Sequence, residues 1–471
     1  MSGRRRVVVI GGGVAGLTTA YRLALDPAAP EVTVLEADHR VGGKLRSERV
    51  GGLERVGGLE LEAGADSFVA RKPWAVELCR ELGLGRELIA PGASGAWLWT
   101  SGGLVRMPAD AAFGIPGDVG DVLKWPGLSR AGRRRAARDL LIRRRRDDDD
   151  ESLGGLLRRR LGDEATERGV APLLAGLFAG DIDRLSARAT FPELQRWEAS
   201  QGSLIRGSQA ARRSAARGEP GPMFLRLRGG TATLTDRLAE RLADGAVRTG
   251  IRAEAIEPAG RGYEVATTEG ERLATDAVVV TTPAWAAADL VEGIAPPAAV
   301  ELLGIPYAST AVILLVYPEG TQSALPEGTG FVVPRGAAPM TACTWLSNKW
   351  PREDFTDRAV IRCYVGAAGD DEVVTAPDRD LVHACERHLE ALLPLPAGAE
   401  RSAVVRWPRA MPQYDVGHLD RVARIRSGLP AGIVVTGSAY DGVGIPDCVR
   451  AAGDAAAEIA AHLAGAKETV R

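Results

Sequence analysis

Apolar and polar positions divide the chain into stretches of different texture. Residues 7–10 (VVVI) form a continuous apolar run, the pattern of a parallel strand buried on both faces. GGGVAG (11–16) follows and opens a helix over LTTAYRLALD, after which EVTVLEA (31–37) reads as a second buried strand. The same order of strand, loop and helix returns in DAVVVTTPAWAAADLV (276–291), and again where VVTG (434–437) leads into a GVG turn, Pro446 and a long Ala-rich helix. Residues 76–220 look helical and Arg-rich, with few strand signals. MFLRLRGGTATLTDRLAERL (223–242) reads as a short strand, a Gly-Gly turn and a helix, and VRTGIRAEAIEPAGRGYEVATTEG (247–270) as hairpin strands. From about 300 to 410, YASTAVILLVYP, GTGFVVP, TACTWLSNKW and AVIRCYVG are β-rich runs split by Gly, Pro and charged loops. They predict an antiparallel sheet with one face available to floor a cavity.

A length of 471 residues exceeds one ordinary core and predicts two or three structural units. The net charge of −2 supplies no basic field for nucleic acid. Five scattered cysteines (79, 343, 363, 385, 448) without a CxxC pair support neither a disulfide framework nor a zinc site, so no metal is expected. MSGRRR is followed by only four apolar residues, a strand rather than a signal peptide. No run approaches the roughly 20 apolar residues of a membrane span. A cytoplasmic protein is expected, soluble or at most peripheral to a membrane. RRRRDDDDE (143–151) reads as a solvated loop, with a membrane or partner surface as the sharper alternative, and Ser152 can cap the helix after it. VGGLER (50–55) is nearly repeated by VGGLEL (56–61), a lengthened hairpin to which no function is assigned.

The first strand, turn, helix and second strand form a complete dinucleotide fingerprint. Gly11 allows the tight turn, Gly13 lets the backbone approach a pyrophosphate, Gly16 permits close helix packing, and Glu36 can bind ribose hydroxyls. The additional pair Gly42-Gly43 follows the ribose acid, a pattern of FAD-type rather than nicotinamide proteins. A glycine turn opening a helix presents backbone N–H groups and a positive dipole end. Gly442-Val443-Gly444 then suits the flavin end of the same long cofactor, where it would stabilise negative charge at the pyrimidine edge.

LEAGADSFVARKP (61–73), AGDIDRLSARATFPEL (179–194), TACTWLSNKWP (341–351), RAMPQYDVGHL (409–419) and SAYDGVGIPDCV (438–449) span nearly the entire chain. In these stretches the sequence resembles the FAD-dependent protoporphyrinogen/coproporphyrinogen oxidases of haem synthesis, within the amine oxidase and phytoene desaturase fold group. The glycine loops identify only the group; the five stretches are more specific. The resemblance implies an α/β fold with a Rossmann-type FAD-binding domain assembled from residues 1–75, 223–292 and 425–467. A mainly helical domain (76–222) and a substrate-binding β-sheet domain (293–424) complete it.

The cofactor residues it implies are Gly11, Gly12, Gly13, Val14, Ala15, Gly16, Glu36, Ala37, Gly42, Gly43, Lys44, Gly64, Ala65, Asp66, Ser67, Ile251, Val443, Gly444 and Ile445, with Trp407 a looser transfer. Ala65 stands where many relatives have Pro. Lys72, Ile182, Phe331 and Met411 are placed around the substrate, Lys72 pairing with a propionate and the other three holding the macrocycle. Each has a plainer reading: Lys72 as an exposed lysine before Pro73, the apolar three as core. Asp181 and Asp183 read better as a turn than as an acid/base pair, and His418 as a packed histidine rather than a base. No side chain is nominated as catalytic, because the flavin carries the chemistry.

The implied reaction is six-electron oxidation of coproporphyrinogen III to coproporphyrin III, with non-covalent FAD as acceptor and O2 reduced to H2O2. The alternatives are a protoporphyrinogen IX oxidase, an amine oxidase or carotenoid desaturase on the same fold, and a flavin-binding protein without turnover. The implied partners are a porphyrinogen and O2, with membrane-surface contact and contact with other haem-pathway enzymes left open, and no nucleic acid.

Overall fold

The computed structural model describes residues 4–27, 29–51, 58–100, 102–108, 111–145, 149–217 and 221–468. Strand β1 (Arg6–Ile10) pairs in parallel with β2 (Glu31–Glu36) on one side and with the strand Ala277–Val280 on the other. Val247–Thr249 adds outside β2 and Ile433–Val435 outside Ala277–Val280, giving five parallel strands. Successive β1 side chains feed opposite faces. Val7 and Val9 join a core with Leu17 of helix α1 (Val14–Ala24) and Ile459, whereas Val8 and Ile10 join one with Ala287 and Ile425. Both faces are covered, which is why the run is apolar throughout.

Because all five strands point the same way, the turns after β1, after Ala277–Val280 and after Ile433–Val435 leave the sheet at one edge. The helices that follow the first and last of these turns, α1 and Ile445–Glu468, share a core, and Thr19 Oγ1 donates to the Ala452 carbonyl at 3.3 Å. Two glycine turns more than 400 residues apart therefore open side by side.

Val247–Thr249 corrects the hairpin expectation. Gly250, at φ +73°, turns the chain away, so only the strands after it (253–275) make an antiparallel unit, of three strands.

The second sheet has seven strands, in the order Arg401–Pro412, Tyr307–Glu319, Arg358–Val365, Ala342–Trp345, Gly330–Val332, Trp97–Thr100, Gly103–Arg106. The hairpin Trp97–Arg106 comes from the stretch expected to be helical and enters through parallel pairing of Phe331 with Trp97. Alternation gives this sheet two faces. Ile313, Leu315, Phe331, Cys343 and Ile361 pack under the helix Asp378–Glu390, while Val312, Leu314 and Val360 pack against Leu59, Leu61 and Trp350. The second face meets the segment leading to residues 62–67 of the site.

Leu153, Leu156, Leu157 and Leu161 centre the helical unit, and Ser152 caps their helix by accepting from Gly155 N–H at 3.0 Å. Residues 146–148 of the Arg/Asp block lie outside the described residues, but its end is not a free loop. Asp150 accepts from Ser186 Oγ (2.8 Å) and from Gly417 N–H (3.0 Å), tying the helical unit to the segment before His418. Helices Pro296–Leu303 and His418–Gly428 bury residues against the five-stranded sheet, so the sheet domain is narrower than 293–424 at both ends. Residues 52–57, which carry most of the VGGLE duplication, are outside the described set; Ser47–Val50 and Leu59–Glu62 pair beside them. Among the described residues, no helix is long and apolar enough to cross a membrane.

Candidate functional site

The glycines of the first turn divide by what surrounds them. A Cβ on Gly16 would lie 1.9 Å from the Gly11 carbonyl oxygen, and one on Gly11 2.5 Å from Thr281 Oγ1. These two are glycine because protein packs on them. A Cβ on Gly13 meets nothing within 4 Å, and Gly13 is the N-cap of α1 with no side chain capping the helix. The turn thus opens onto room at a helix N-terminus where Val14 and Ala15 begin the helix, the arrangement that takes a phosphate. Gly12 N–H donates to Glu36 Oε2 (2.6 Å) and Asp38 N–H to Oε1 (2.8 Å), which fixes the acid that ends β2 before Ala37. Ile251 N–H donates to the Glu36 carbonyl at 2.9 Å.

Gly42 and Gly43, both left-handed (φ +102° and +53°), lie along the first turn, Gly42 N–H donating to the Gly12 carbonyl at 2.8 Å. Gly64 is equally constrained: its Cβ would sit 1.8 Å from the Lys44 carbonyl. Two hydroxyls on the loops after the other strands, Thr282 Oγ1 and Thr436 Oγ1, are buried without a partner. Open room at a helix start, a fixed carboxylate at the end of β2 and unpartnered buried hydroxyls fit a dinucleotide laid along this edge.

Lys44 is half-buried, and among the described residues no carboxylate lies within ion-pair distance of it. Its Nζ donates to the Ala410 carbonyl and to Ser438 Oγ (3.2 Å), and burial lowers its pKa to about 8. A partly desolvated ammonium held only by neutral oxygens suits an anion. Trp407 Nε1 donates to the Ala63 carbonyl at 2.9 Å, anchoring the second sheet to the 62–67 loop.

The structure gives Asp66 a different role from the one expected. Its carboxylate accepts from Lys349 Nζ (2.9 Å) and Trp350 Nε1 (3.0 Å), with Arg362 Nη2 at 3.4 Å. Burial works to raise its pKa, but Arg362 and Lys349 outweigh it and hold the group well below the usual range. A side chain so engaged is committed to the protein, and Ser67 Oγ donates to it at 2.8 Å. Ala65 presents its carbonyl to Thr231 Oγ1 (2.7 Å).

Arg362 and Glu62 were not foreseen. Arg362 Nη1 donates to the carbonyls of Glu62 (3.0 Å) and Gly64 (3.1 Å), and Glu62 accepts from Thr231 N–H at 2.7 Å. The available signal was one charge inside the apolar run AVIRCYV.

At the second turn, Tyr414 is the clamp. Its hydroxyl donates to the Ser438 carbonyl (2.7 Å) and accepts from Gly442 N–H (2.9 Å), and its ring stacks on His418 at 3.9 Å between centroids. His418 is packed, as its plainer reading expected: Nε2–H donates to the Tyr440 carbonyl at 3.1 Å, and burial lowers its pKa to about 4. RAMPQYDVGHL therefore shapes SAYDGVG. Val443 packs toward the helical core, and Gly444 leads into Ile445, the first residue of the terminal helix. Lys72 lies over this turn, with Nζ 2.7 Å from both carboxylate oxygens of Asp447 in the helix's first turn.

The four substrate candidates separate. Lys72 is exposed and Met411 half-buried. Ile182, 7% exposed, belongs to the helical core. Phe331, 1% exposed, packs with Trp345 and His388, each 6.4 Å away between ring centroids. Strand alternation puts Phe331 on the face under the helix Asp378–Glu390, so its side chain is core rather than lining. Asp181 and Asp183 form the expected turn, Asp183 pairing with Arg158 and Asp183 N–H donating to Asp181 Oδ1 (3.0 Å).

Comparison with known proteins agrees with this geometry. The family of flavin-containing amine oxidoreductases matches residues 14–460. A coproporphyrinogen III oxidase of Bacillus subtilis is 34% identical over 95% of this chain and 96% of its own, and one of Mycobacterium tuberculosis (strain ATCC 25618 / H37Rv) is 34% identical over 97% of each. The crystal structure of a putative protoporphyrinogen oxidase from Exiguobacterium superposes with a TM-score of 0.85 at 34% identity, covering 98% of this chain and 99% of that one. With its fingerprint at one end, its second glycine turn at the other and relatives matching across both, the chain belongs to the flavin-containing amine oxidoreductases, within their FAD-dependent coproporphyrinogen III/protoporphyrinogen oxidase branch.

Proposed function

We propose that the protein oxidises coproporphyrinogen III to coproporphyrin III. The observation that carries this reading is Lys72, an exposed ammonium held directly over the second glycine turn by Asp447. A cation at that place suits a carboxylate-bearing substrate next to the flavin end of the cofactor. The full-length likeness to proteins named coproporphyrinogen III oxidase supports it. When bound, FAD supplies the oxidation, six electrons leaving the substrate in three two-electron steps and three O2 becoming three H2O2.

The chain's own residues hold and orient. Gly13 and the start of α1 receive the pyrophosphate, Glu36 a ribose, Lys44 an anionic part of the cofactor, and the Val443–Ile445 amides the flavin's polar edge. Tyr414 fixes the shape of that second turn. Lys72 releases Asp447 to take a propionate while Met411 contacts the ring. No side chain acts as base in this reading.

The test is anaerobic mixing of purified holoprotein with each porphyrinogen while the flavin absorbance is followed. Bleaching by coproporphyrinogen III, with a higher kcat/KM than for protoporphyrinogen IX, is expected. The reverse preference would make it a protoporphyrinogen oxidase, the reading favoured by the name of the Exiguobacterium neighbour.

A further inference from the structure

Arg409 occupies a conformation that its side chain makes costly. Its φ of +46° is left-handed, a region that residues with a Cβ enter only where surrounding structure holds them. It stands in a bulge of Arg401–Pro412: pairing with Tyr307–Glu319 skips between Ala308–Met411 and Thr310–Trp407, so residues 408–410 oppose Ser309 alone. Bulges of this kind re-aim side chains beside functional sites.

Three backbone groups of this bulge make hydrogen bonds. Arg409 N–H donates to Ser309 Oγ (3.0 Å), its carbonyl accepts from Trp285 Nε1 (3.4 Å), and the next carbonyl, of Ala410, accepts from Lys44. Trp285 lies in the helix directly after the strand Ala277–Val280, so the contact joins the cofactor sheet's loop edge to the second sheet. The side chain is exposed, and its guanidinium carbon stands 4.6 Å over the Trp285 ring. Among the described residues no carboxylate lies within ion-pair distance of it. Most other arginines around the site are paired: Arg362 with Asp66, Arg226 with Glu62, Arg184 with Asp415.

A guanidinium held over an indole keeps N–H donors free beyond the ring, and such a planar fork can receive a carboxylate bidentately. Its sequence neighbours on the same strand are Trp407, tied to the 62–67 loop, and Met411, a substrate candidate. We propose that Arg409, oriented by Trp285, is a second carboxylate-binding site for the substrate and takes a propionate other than the one assigned to Lys72. This rests on the porphyrinogen reading above. It also gives the strained bulge a purpose, since glycine or asparagine would adopt that backbone more easily but could not present a planar cation.

The test uses FAD-loaded protein and coproporphyrin III, whose binding is read from quenching of its own fluorescence, so that no turnover is needed. Arg409→Met keeps an apolar chain on Trp285 and removes the charge. It is expected to raise the Kd for coproporphyrin about tenfold, the loss of one charge-assisted pair, and to raise KM for coproporphyrinogen similarly with kcat within about twofold. Arg409→Lys should recover part of the affinity. Arg409→Gly should raise Tm by removing the left-handed strain and weaken binding as Arg409→Met does.

An unchanged Kd in Arg409→Met overturns the proposal, as does wild-type protein that binds no coproporphyrin. Loss of FAD from Arg409→Met also overturns it, by assigning Arg409 to the cofactor. Failure of wild-type protein to oxidise any porphyrinogen while still binding coproporphyrin through Arg409 would remove the catalytic reading and leave the site standing.

Discussion

Lys72 and Asp447 come from opposite ends of the chain and meet with both carboxylate oxygens 2.7 Å from one ammonium. With Lys72 nearly half exposed, the pair itself adds little stability. Its placement over the second glycine turn matters more, because a substrate carboxylate must compete with Asp447 for the same three donors. Lys72→Ala is expected to raise KM for coproporphyrinogen several-fold or more, an effect of about 1–3 kcal/mol, and to matter less for protoporphyrinogen. Asp447→Asn should lower KM by freeing the lysine. A higher KM in Asp447→Asn would show instead that the carboxylate positions Lys72.

Gly13 and Gly16 should fail for different reasons. Gly13→Val places its side chain in open room, so folded but colourless protein is expected, with a Tm near that of wild-type apoprotein. Gly16→Ala drives a methyl into the Gly11 carbonyl and should cost both folding and flavin. Wild-type protein should be yellow, and acid precipitation should release its FAD, since Cys448, the cysteine that follows the second glycine turn, lies in the terminal helix with its thiol turned to the Gly442 carbonyl (3.8 Å). Circular dichroism and flavin absorbance on the three proteins decide the matter.

Cofactor affinity should depend on pH through Lys44. Burial lowers its pKa to about 8, from 10.5, in the protein without cofactor, and an adjacent anion raises it again. Below pH 8 the lysine is already charged and binding needs no proton. Above pH 8 binding must take one up, so the Kd for FAD should rise by up to about tenfold per pH unit until the bound-state pKa is reached. Lys44→Met should bind FAD more weakly and lose this slope. Fluorescence titration of apoprotein between pH 7 and 10 measures both.

Acid sensitivity should trace to His418. Its folded pKa of about 4 lies below the unfolded value of 6.5, so the unfolded chain binds the extra proton between these two. Its stabilisation is complete above pH 6.5 and lost as pH falls to 4, an effect of about 2–4 kcal/mol. In His418→Gln the fall in Tm across that window should be shallower, and the second glycine turn should loosen because Tyr414 loses its stacked partner.

Within the parallel sheet, β1 and Ile433–Val435 could be read from sequence because each is a short continuous apolar run followed by a glycine loop. Val247–Thr249, with a charge at its centre, carries no such signal. The hairpin Trp97–Arg106 was missed although WLWTSGGLVR carries alternation and a glycine turn, because it sits inside a long Arg-rich helical stretch. Glycine identities pointed to the cofactor edge, since only close packing or close approach explains them. Phe331 shows where such reading stops: its residue type suits core and cavity equally, and only the phase of the strand decides. Asp66, Arg362 and Lys349 come together from distant segments, and nothing local in sequence announces a partner three hundred residues away.

The order of strands in the parallel sheet has a consequence for synthesis. β1 is made first, yet its neighbour Ala277–Val280 and the outermost strand Ile433–Val435 come far later in the chain. At ribosomal rates the interval from β1 to the last strand is on the order of half a minute. Until Ala277–Val280 has been made, VVVI has a bare edge that can pair with another nascent chain. After that, the bare edge is the one Ile433–Val435 will cover. The pyrophosphate turn exists early, but the turn for the flavin end and the helix that packs on α1 do not. FAD therefore meets a finished site only after nearly the whole polypeptide has been made, and flavin supply can act on yield as a folding ligand.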